Sequence, residues 1–237
     1  MSSGIYVATA GAIAQSNALD ATANNIANAG TAGFRADRVT FREALTAARS
    51  ADVISVNNGA TTIDTRPGAL SSTQNPLDVA LEGDGMFAVN TPNGPRYTRA
   101  GNFRIDAENN LVTSDGHKVR GEGGANIQFP PDTKSIQIAA DGTITADELG
   151  IGKLELQRFA QNQLERQGGS LYVARGAPQD GDPPKVRQGM LEVSNVNVVR
   201  GVVDLVKVSR TYEALMRVIQ SYHDVESRAA RELGGPK

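Results

Sequence analysis

The stretch VVRGVVDLVKVSRTYEALMRVIQSY, residues 198–222, carries the strongest periodic signal in the chain. Val198, Val202, Leu205, Val208, Tyr212, Leu215, Ile219 and Tyr222 return at intervals of three or four, and after Gly201 neither proline nor glycine interrupts them. That spacing predicts a long C-terminal helix with one apolar stripe. Glu213 with Arg217, and Asp224 with Arg228, stand in the favourable acid-first i,i+4 arrangement. Such pairs stabilise an isolated helix by only ~0.2–0.5 kcal/mol each, so packing must supply most of its stability. The preceding run from Ser194 to Asn197 offers Ser194 or Asn195 as helix caps, with an intersubunit role standing beside capping.

The other end of the chain is helical in a different way. Ile5, Ala8, Ala12, Leu19, Thr22 and Ile26 fall along one stripe, with Gln15 filling its gap. The stripe is thin: 20 of the first 34 residues are Ala, Gly, Ser or Thr, and Asp20 is the only side chain among the 34 that is charged at neutral pH. A helix facing water normally carries charge on its outer side, whereas small side chains let other backbones approach closely. This helix therefore reads as one made to be surrounded by protein. Asn28-Ala29-Gly30 and Ala32-Gly33 signal its end, because glycine can adopt the left-handed conformation that closes a helix. Asn24, Asn25 and Asn28 near that end suit capping or turn roles, with subunit contacts as their expected form.

Between the helices the texture is that of short strands. Residues 52–74 are polar, with candidate strands at 53–56 and 61–65. From Leu77 to about Val173 strands alternate with turn chemistry: 86–90 and 96–99 flank Pro92-Asn93-Gly94, a hairpin signature. The candidates 103–106, 111–113 and 117–119 follow, and Ile136, Ile138, Ile144, Leu154 and Leu156 supply period-two apolar positions for one face. A compact antiparallel barrel or sandwich fits this rhythm. The Gly-, Pro- and Asp-rich residues 176–184 read as its exit loop. The expected fold class is thus α+β, with long terminal helices pairing as an antiparallel coiled coil around a central all-β domain.

Composition narrows the function. With 24 basic and 26 acidic residues the net charge is −2, which gives no field for nucleic acid or an anionic membrane. Cysteine is absent and only His117 and His223 offer imidazole, so neither a disulfide, a thiolate ligand nor an ordinary zinc site is expected. No run approaches the ~20 apolar residues that span a bilayer, and the start of the chain lacks the basic and apolar regions of a secretory signal.

Candidate chemical motifs have plainer readings. Gly121-Glu122-Gly123-Gly124 lacks the Lys-Ser/Thr ending of a phosphate loop and reads as a turn. Asp106, Glu108 and Asn110 resemble a calcium loop only until Leu111, where glycine would be required. Asp78, Glu82 and Asp84 are close in sequence, but a glycosidase pair needs facing carboxyl groups ~5–9.5 Å apart. His223 on the C-terminal helix reads as a solvated or interface side chain. No catalytic residue, cofactor or metal is expected. A carbohydrate-binding or hydrolytic β-domain on a helical stalk is the alternative from another class.

Several segments resemble the bacterial flagellar rod and hook family. Ala23-Asn24-Asn25-Ile26-Ala27-Asn28 followed by Thr31-Ala32-Gly33-Phe34-Arg35 is similar to the family's N-terminal signature. The run 75–85, beginning Asn75-Pro76-Leu77-Asp78, and Tyr97-Thr98-Arg99-Ala100-Gly101 resemble the start of its β-rich domain, and Gly189-Met190-Leu191-Glu192 with Ser194-Asn195-Val196-Asn197 its C-terminal entry. Met190 and Val193 depart from it, since the family more often has an aromatic or small residue there. Gly121-Glu122-Gly123-Gly124, 140–144, 152–156 and 168–172 look most like its proximal-rod members, with distal-rod and hook subunits as rivals.

The resemblance implies a non-enzymatic subunit of the basal-body rod, exported by the flagellar type III system without a cleaved signal and polymerised in the periplasm into the shaft linking motor to hook. Its implied partners are copies of itself, other proximal and distal rod proteins, and the export apparatus in transit, with no nucleic acid and no membrane insertion. Expected domains are an N-terminal helix over 1–33, an extended connector over 34–75, a β-rich domain over 76–184, and a connector with the pairing C-terminal helix over 185–237. Expected subunit-interface residues are Ile5, Ala8, Ala12, Leu19, Asn24, Asn25, Ile26 and Asn28 at one end, and Ser194, Asn195, Asn197, Leu205, Val208, Tyr212, Leu215, Ile219 and Tyr222 at the other.

Overall fold

Both periodic stretches form helices in the computed structural model, which describes residues 2–40, 60–160 and 163–233; the candidate strand at 53–56 lies outside them. Helix α1 spans Ser2–Ala27 and α2 spans Val198–Leu233. The chain folds as two units, one comprising Met1–Ala27, Asp37–Thr62 and Asn197–Lys237, the other Asn28–Ala36 and Ile63–Val196. The architecture is α+β, with helical ends and a β-rich middle.

In the helical unit, glycines on one helix meet bulky side chains on the other. A Cβ added at Gly4 would lie 2.5 Å from Tyr222 Oη, at Gly11 3.3 Å from Leu215 Cδ1, and at Gly201 3.0 Å from Ile26 Cγ1. Position numbers fall on one helix as they rise on the other, so α1 and α2 run antiparallel. The small residues of α1 thus have a local reason: they admit the stripe of α2 to close range. Strand β1 (Asp37–Thr40) pairs with β2 (Ala60–Ile63), which covers part of the expected strand at 61–65.

Helix α1 stops where the asparagines stand. Gly33, with φ +66°, takes the left-handed conformation, whereas Gly30 is not among the positive-φ glycines. Of the two expected closing signals, Ala32-Gly33 is therefore the one that uses glycine's freedom. Side-chain space is also denied at Gly33, because a Cβ there would sit 2.3 Å from the Arg99 carbonyl carbon.

The β-rich unit holds the remaining strands: β3 (Leu70–Ser72), β4 (Val79–Glu82), β5 (Met86–Thr91), β6 (Gly94–Thr98), β7 (Arg104–Ile105), β8 (Leu111–Val112) and β9 (Lys118–Val119). After these come β10 (Ile136–Ile138), β11 (Thr143–Ala146), β12 (Leu149–Lys153), β13 (Leu156–Gln157), β14 (Leu164–Arg166), β15 (Leu171–Ala174), β16 (Lys185–Gln188) and β17 (Met190–Glu192). The main sheet runs β14-β15-β6-β5-β9-β8-β7, with β13 also on β5. A second sheet runs β10-β11-β12, and β16 with β4 and β17 with β3 form two ribbons.

The expected hairpin is β5–β6, with Thr91 paired to Gly94, whose φ of +95° closes the turn. Phe87, Val89, Leu111, Val119, Ile138, Ile144 and Leu154 point into one core, so the period-two apolar positions face inward as read. Residues 122–124 form a short 3₁₀ turn with Gly123 and Gly124 at positive φ. The Asp106 carboxylate accepts from its own loop, from the backbone N–H groups of Glu108 (3.0 Å) and Asn110 (2.7 Å). Burial alone would raise its pKa, but these bonds hold it below the ordinary value. That spends the carboxylate on a hairpin turn.

Candidate assembly sites: the helical ends and a buried charge clasp

The asparagines of the α1 terminus act on the segment that follows. Asn25 works as a surrogate strand residue: its Oδ1 accepts from Asp37 N–H at 2.7 Å and its Nδ2 donates to Asp37 C=O at 2.8 Å. Asn24 Nδ2 donates to the Asp37 carboxylate at 3.0 Å, and Asn28 Oδ1 accepts from the Thr31 hydroxyl at 3.2 Å. These bonds tie β1 to the end of α1 and shape the turn after it.

At the start of α2 the cap is Asn197. Its Oδ1 accepts from the Arg200 N–H at 3.0 Å and its C=O from Gly201 N–H at 2.8 Å. Ser194 and Asn195, the expected caps, do other work: Ser194 Oγ accepts from Val196 N–H at 3.3 Å, ahead of α2, which begins at Val198. Asn195 Oδ1 accepts from Ala36 N–H at 2.7 Å, while its Nδ2 donates to the carbonyls of Asp64 (3.1 Å) and Arg66 (2.9 Å). Replacing Asn197 with alanine is expected to lower helix stability by about 1 kcal/mol, read as reduced far-ultraviolet helicity and an earlier loss of helical signal on heating. An unchanged melt would mean that the cap contributes nothing.

The expected interface residues divide by exposure. On α1, Ala8 and Ala12 are buried, while Ile5, Leu19, Asn24, Asn25, Ile26 and Asn28 are half-buried. On α2, Leu205, Val208, Tyr212, Leu215 and Ile219 are half-buried and Tyr222 is 36% exposed. Ala18, absent from the expected set, is buried beside them. Apolar side chains stand exposed on both helices: Tyr6, Val7 and Ile13 on α1, and on α2 Val199, Val202, Val203, Val206, Val218 and Val225, Val199 at 77%, interspersed there with exposed Arg200, Lys207, Arg210, Glu213 and Arg217.

Inside the β-rich unit lies a charge cluster that the residue patterns did not reveal. The Glu192 carboxylate, 1% exposed, accepts from Arg99 Nε at 2.8 Å, from Arg35 Nη2 at 3.3 Å and from Gly68 N–H at 3.1 Å. Arg99 also donates to the carbonyls of Gly85 (2.8 Å) and Leu81 (3.3 Å), and Arg35 donates to Thr65 C=O. Burial lowers the Arg99 pKa, with Glu192 opposing that shift. Arg35 Nε has no hydrogen-bond partner. Next to Arg35, the buried Phe34 ring lies under the Arg166 guanidinium, 4.3 Å from its centroid. The three charged members, Arg35, Arg99 and Glu192, each come from one of the motifs read in the sequence, which gave the residues but not their meeting.

Two of the three carboxylates weighed for catalysis are otherwise engaged, and the third, Asp84, is exposed. Asp78 accepts from Asn75 Nδ2 at 3.1 Å, and Glu82 pairs with Arg187 at 2.8 Å across β4 and β16. His223 is exposed on α2. Among the described residues no group of three or more His, Cys, Asp or Glu side chains could hold a metal ion, and no helix is long and apolar enough to cross a membrane.

Comparison with known proteins gives these features a setting. Residues 5–35 match the family model described as flagella basal body rod protein, residues 80–146 the flagellar hook protein FlgE/F/G D1 domain, and residues 187–232 the flagellar basal body rod FlgEFG protein C-terminal. The basal-body rod protein FlgF of Mesorhizobium japonicum is 35% identical over 94% of this chain and 96% of its own. FlgF of Rhizobium meliloti is 33% identical over the whole of both chains, and the rod protein FlgG of Bacillus subtilis is 32% identical over 87% of this chain and 90% of its own. A protein with helical ends, a β-rich middle and these three matched regions is a structural component of a flagellar axis, not an enzyme. The chain belongs to the flagellar basal-body rod protein family, and its place is the flagellar basal body, among other rod components.

Proposed function

We propose that this chain is a proximal-rod subunit of the FlgF type, carried outward by the flagellar export apparatus and polymerised with copies of itself and neighbouring rod proteins. The observation that carries the reading is the number of large apolar side chains left exposed on the helical unit, above all on the nearly uncharged α1 and the first turns of α2. A helix in water would place charge where Tyr6, Val7, Val199, Val203 and Val206 stand. Where such side chains join into one patch they mark a protein contact site. In a filament, heterologous contacts that do not close would repeat along an axis. Paired as an antiparallel coiled coil, α1 and α2 would line that axis, with residues 76–184 as a barrel- or sandwich-like β domain and residues 34–75 as connector.

In this reading the interface set extends from Ile5, Ala8, Ala12, Leu19 and Ile26 to Leu205, Val208, Tyr212, Leu215, Ile219 and Tyr222. Asn24, Asn25, Asn28, Ser194, Asn195 and Asn197 support it by fixing how the chain leaves and enters the helices. The FlgF type rests on the resemblance of residues 121–124, 140–144, 152–156 and 168–172 to proximal-rod members, and FlgF relatives aligned over nearly the whole chain support it.

Complementation tests the proposal. A strain lacking the chain should regain swimming with the full-length protein and fail with one lacking residues 200–237, although the shortened protein remains soluble and rich in β structure. Swimming restored by the shortened chain would contradict it.

A further inference from the structure

The chain passes between the two units after Ala27, Ala36, Thr62 and Val196. Inside the β-rich unit, the segments next to the last three of these passages meet at two side chains. Glu192 holds Arg35 and the Gly68 N–H from the incoming segments and Arg99 from β6's end, while its own C=O accepts from Gly33 N–H at 2.7 Å. Three residues on, Asn195 holds the Ala36 N–H and the carbonyls of Asp64 and Arg66.

We infer that Glu192 and Asn195 couple segments 33–36, 64–68 and 190–196 into one block that opens and closes together, so that strain on one passage is resisted by all three. The physical ground is the cost of partial opening. If 190–196 lifted away alone, two guanidiniums would stay in the interior without their carboxylate, and the Ala36 N–H without its acceptor. If 33–36 left alone, Glu192 would lose one of its two cations and the Gly33 donor. A buried charge without its partner is far less favourable than a pair that is wholly made or wholly exposed. Apolar contacts impose no such condition, because they are non-directional and scale with area.

Hydrogen exchange followed by mass spectrometry on the full chain tests this. In the native protein the three segments should share one opening constant. Glu192→Ala should raise exchange in all three by roughly 100-fold or more. The variant Arg35→Met, Arg99→Met, Glu192→Leu, Asn195→Ala, which removes both linking side chains, should keep the unit folded but split the three segments into different opening constants. Should Glu192→Ala fail to fold, Asn195→Ala serves in its place, with raised exchange expected at 34–36 and 64–66 as well as around residue 195. Exchange raised only in 190–196 by either single variant, or one shared constant surviving in the fourfold variant, overturns the inference.

Discussion

Glu192→Ala is expected to lower the unfolding free energy of the β-rich unit by about 3–5 kcal/mol, the range found when one member of a buried ion pair is removed. The size follows from what remains. Arg99, at 1% side-chain exposure, and Arg35, at 6%, cannot reach water to replace the lost carboxylate. One further donor, the Gly68 N–H, loses its acceptor at the same time. Glu192→Gln keeps the shape and an oxygen acceptor, so its loss should be smaller, while replacing all three charged residues by apolar ones of similar volume should be close to neutral. Urea denaturation monitored by near-ultraviolet circular dichroism gives each value. A Glu192→Ala loss below about 1 kcal/mol, the scale of a surface pair, would show that the clasp does not hold the unit together.

The second large effect is steric. In Gly101→Ala the new Cβ would lie 1.7 Å from the Val79 carbonyl oxygen and 2.8 Å from its carbon. Both are backbone atoms, so no rotamer change relieves the clash. The bond from Val79 N–H to Gly101 C=O, 2.9 Å long, must break or the strand must shift. A loss of about 3 kcal/mol, the upper end for overpacking, is expected. Gly150→Ala is the matched control, because its Cβ would meet nothing within 4 Å; its effect should stay within ~0.5 kcal/mol. Equal stabilities for the two variants would show that β4 and residue 101 are not held this closely.

The helical ends were legible because their signal is periodic and repeats over many turns. The hairpin at Pro92-Asn93-Gly94 was legible because a turn is a local choice of dihedral angles. Glu192 was not, and strand alternation points the wrong way there. Between Leu191 and Val193 a carboxylate reads as the solvent-facing residue, yet Glu192 is buried, Leu191 half-buried and Val193 41% exposed. The inversion holds because two arginines, one 157 and one 93 residues away in sequence, supply its countercharge. No local pattern encodes a partner at that distance.

The helix cap shows a smaller miss with a local cause. The apolar stripe was already read as starting at Val198, which puts the cap at Asn197, directly before it. Ser194 and Asn195 have suitable side chains, but they lie in the irregular stretch between β17 and α2, and the Asn195 amide bonds to the backbone of residues 36, 64 and 66 instead. Asn25 likewise carries no periodic signal for its match with Asp37, since a side chain standing in for a strand neighbour depends on where the chain returns.

The central claim is that the outer surface of α1 and α2 is completed by neighbouring subunits. It is tested most directly by comparing amide exchange over residues 5–26 and 198–225 in the isolated protein and in purified basal bodies. The account predicts weak protection of both stretches in the free chain and strong protection once the rod is built. Equal, high protection in the two states would contradict it.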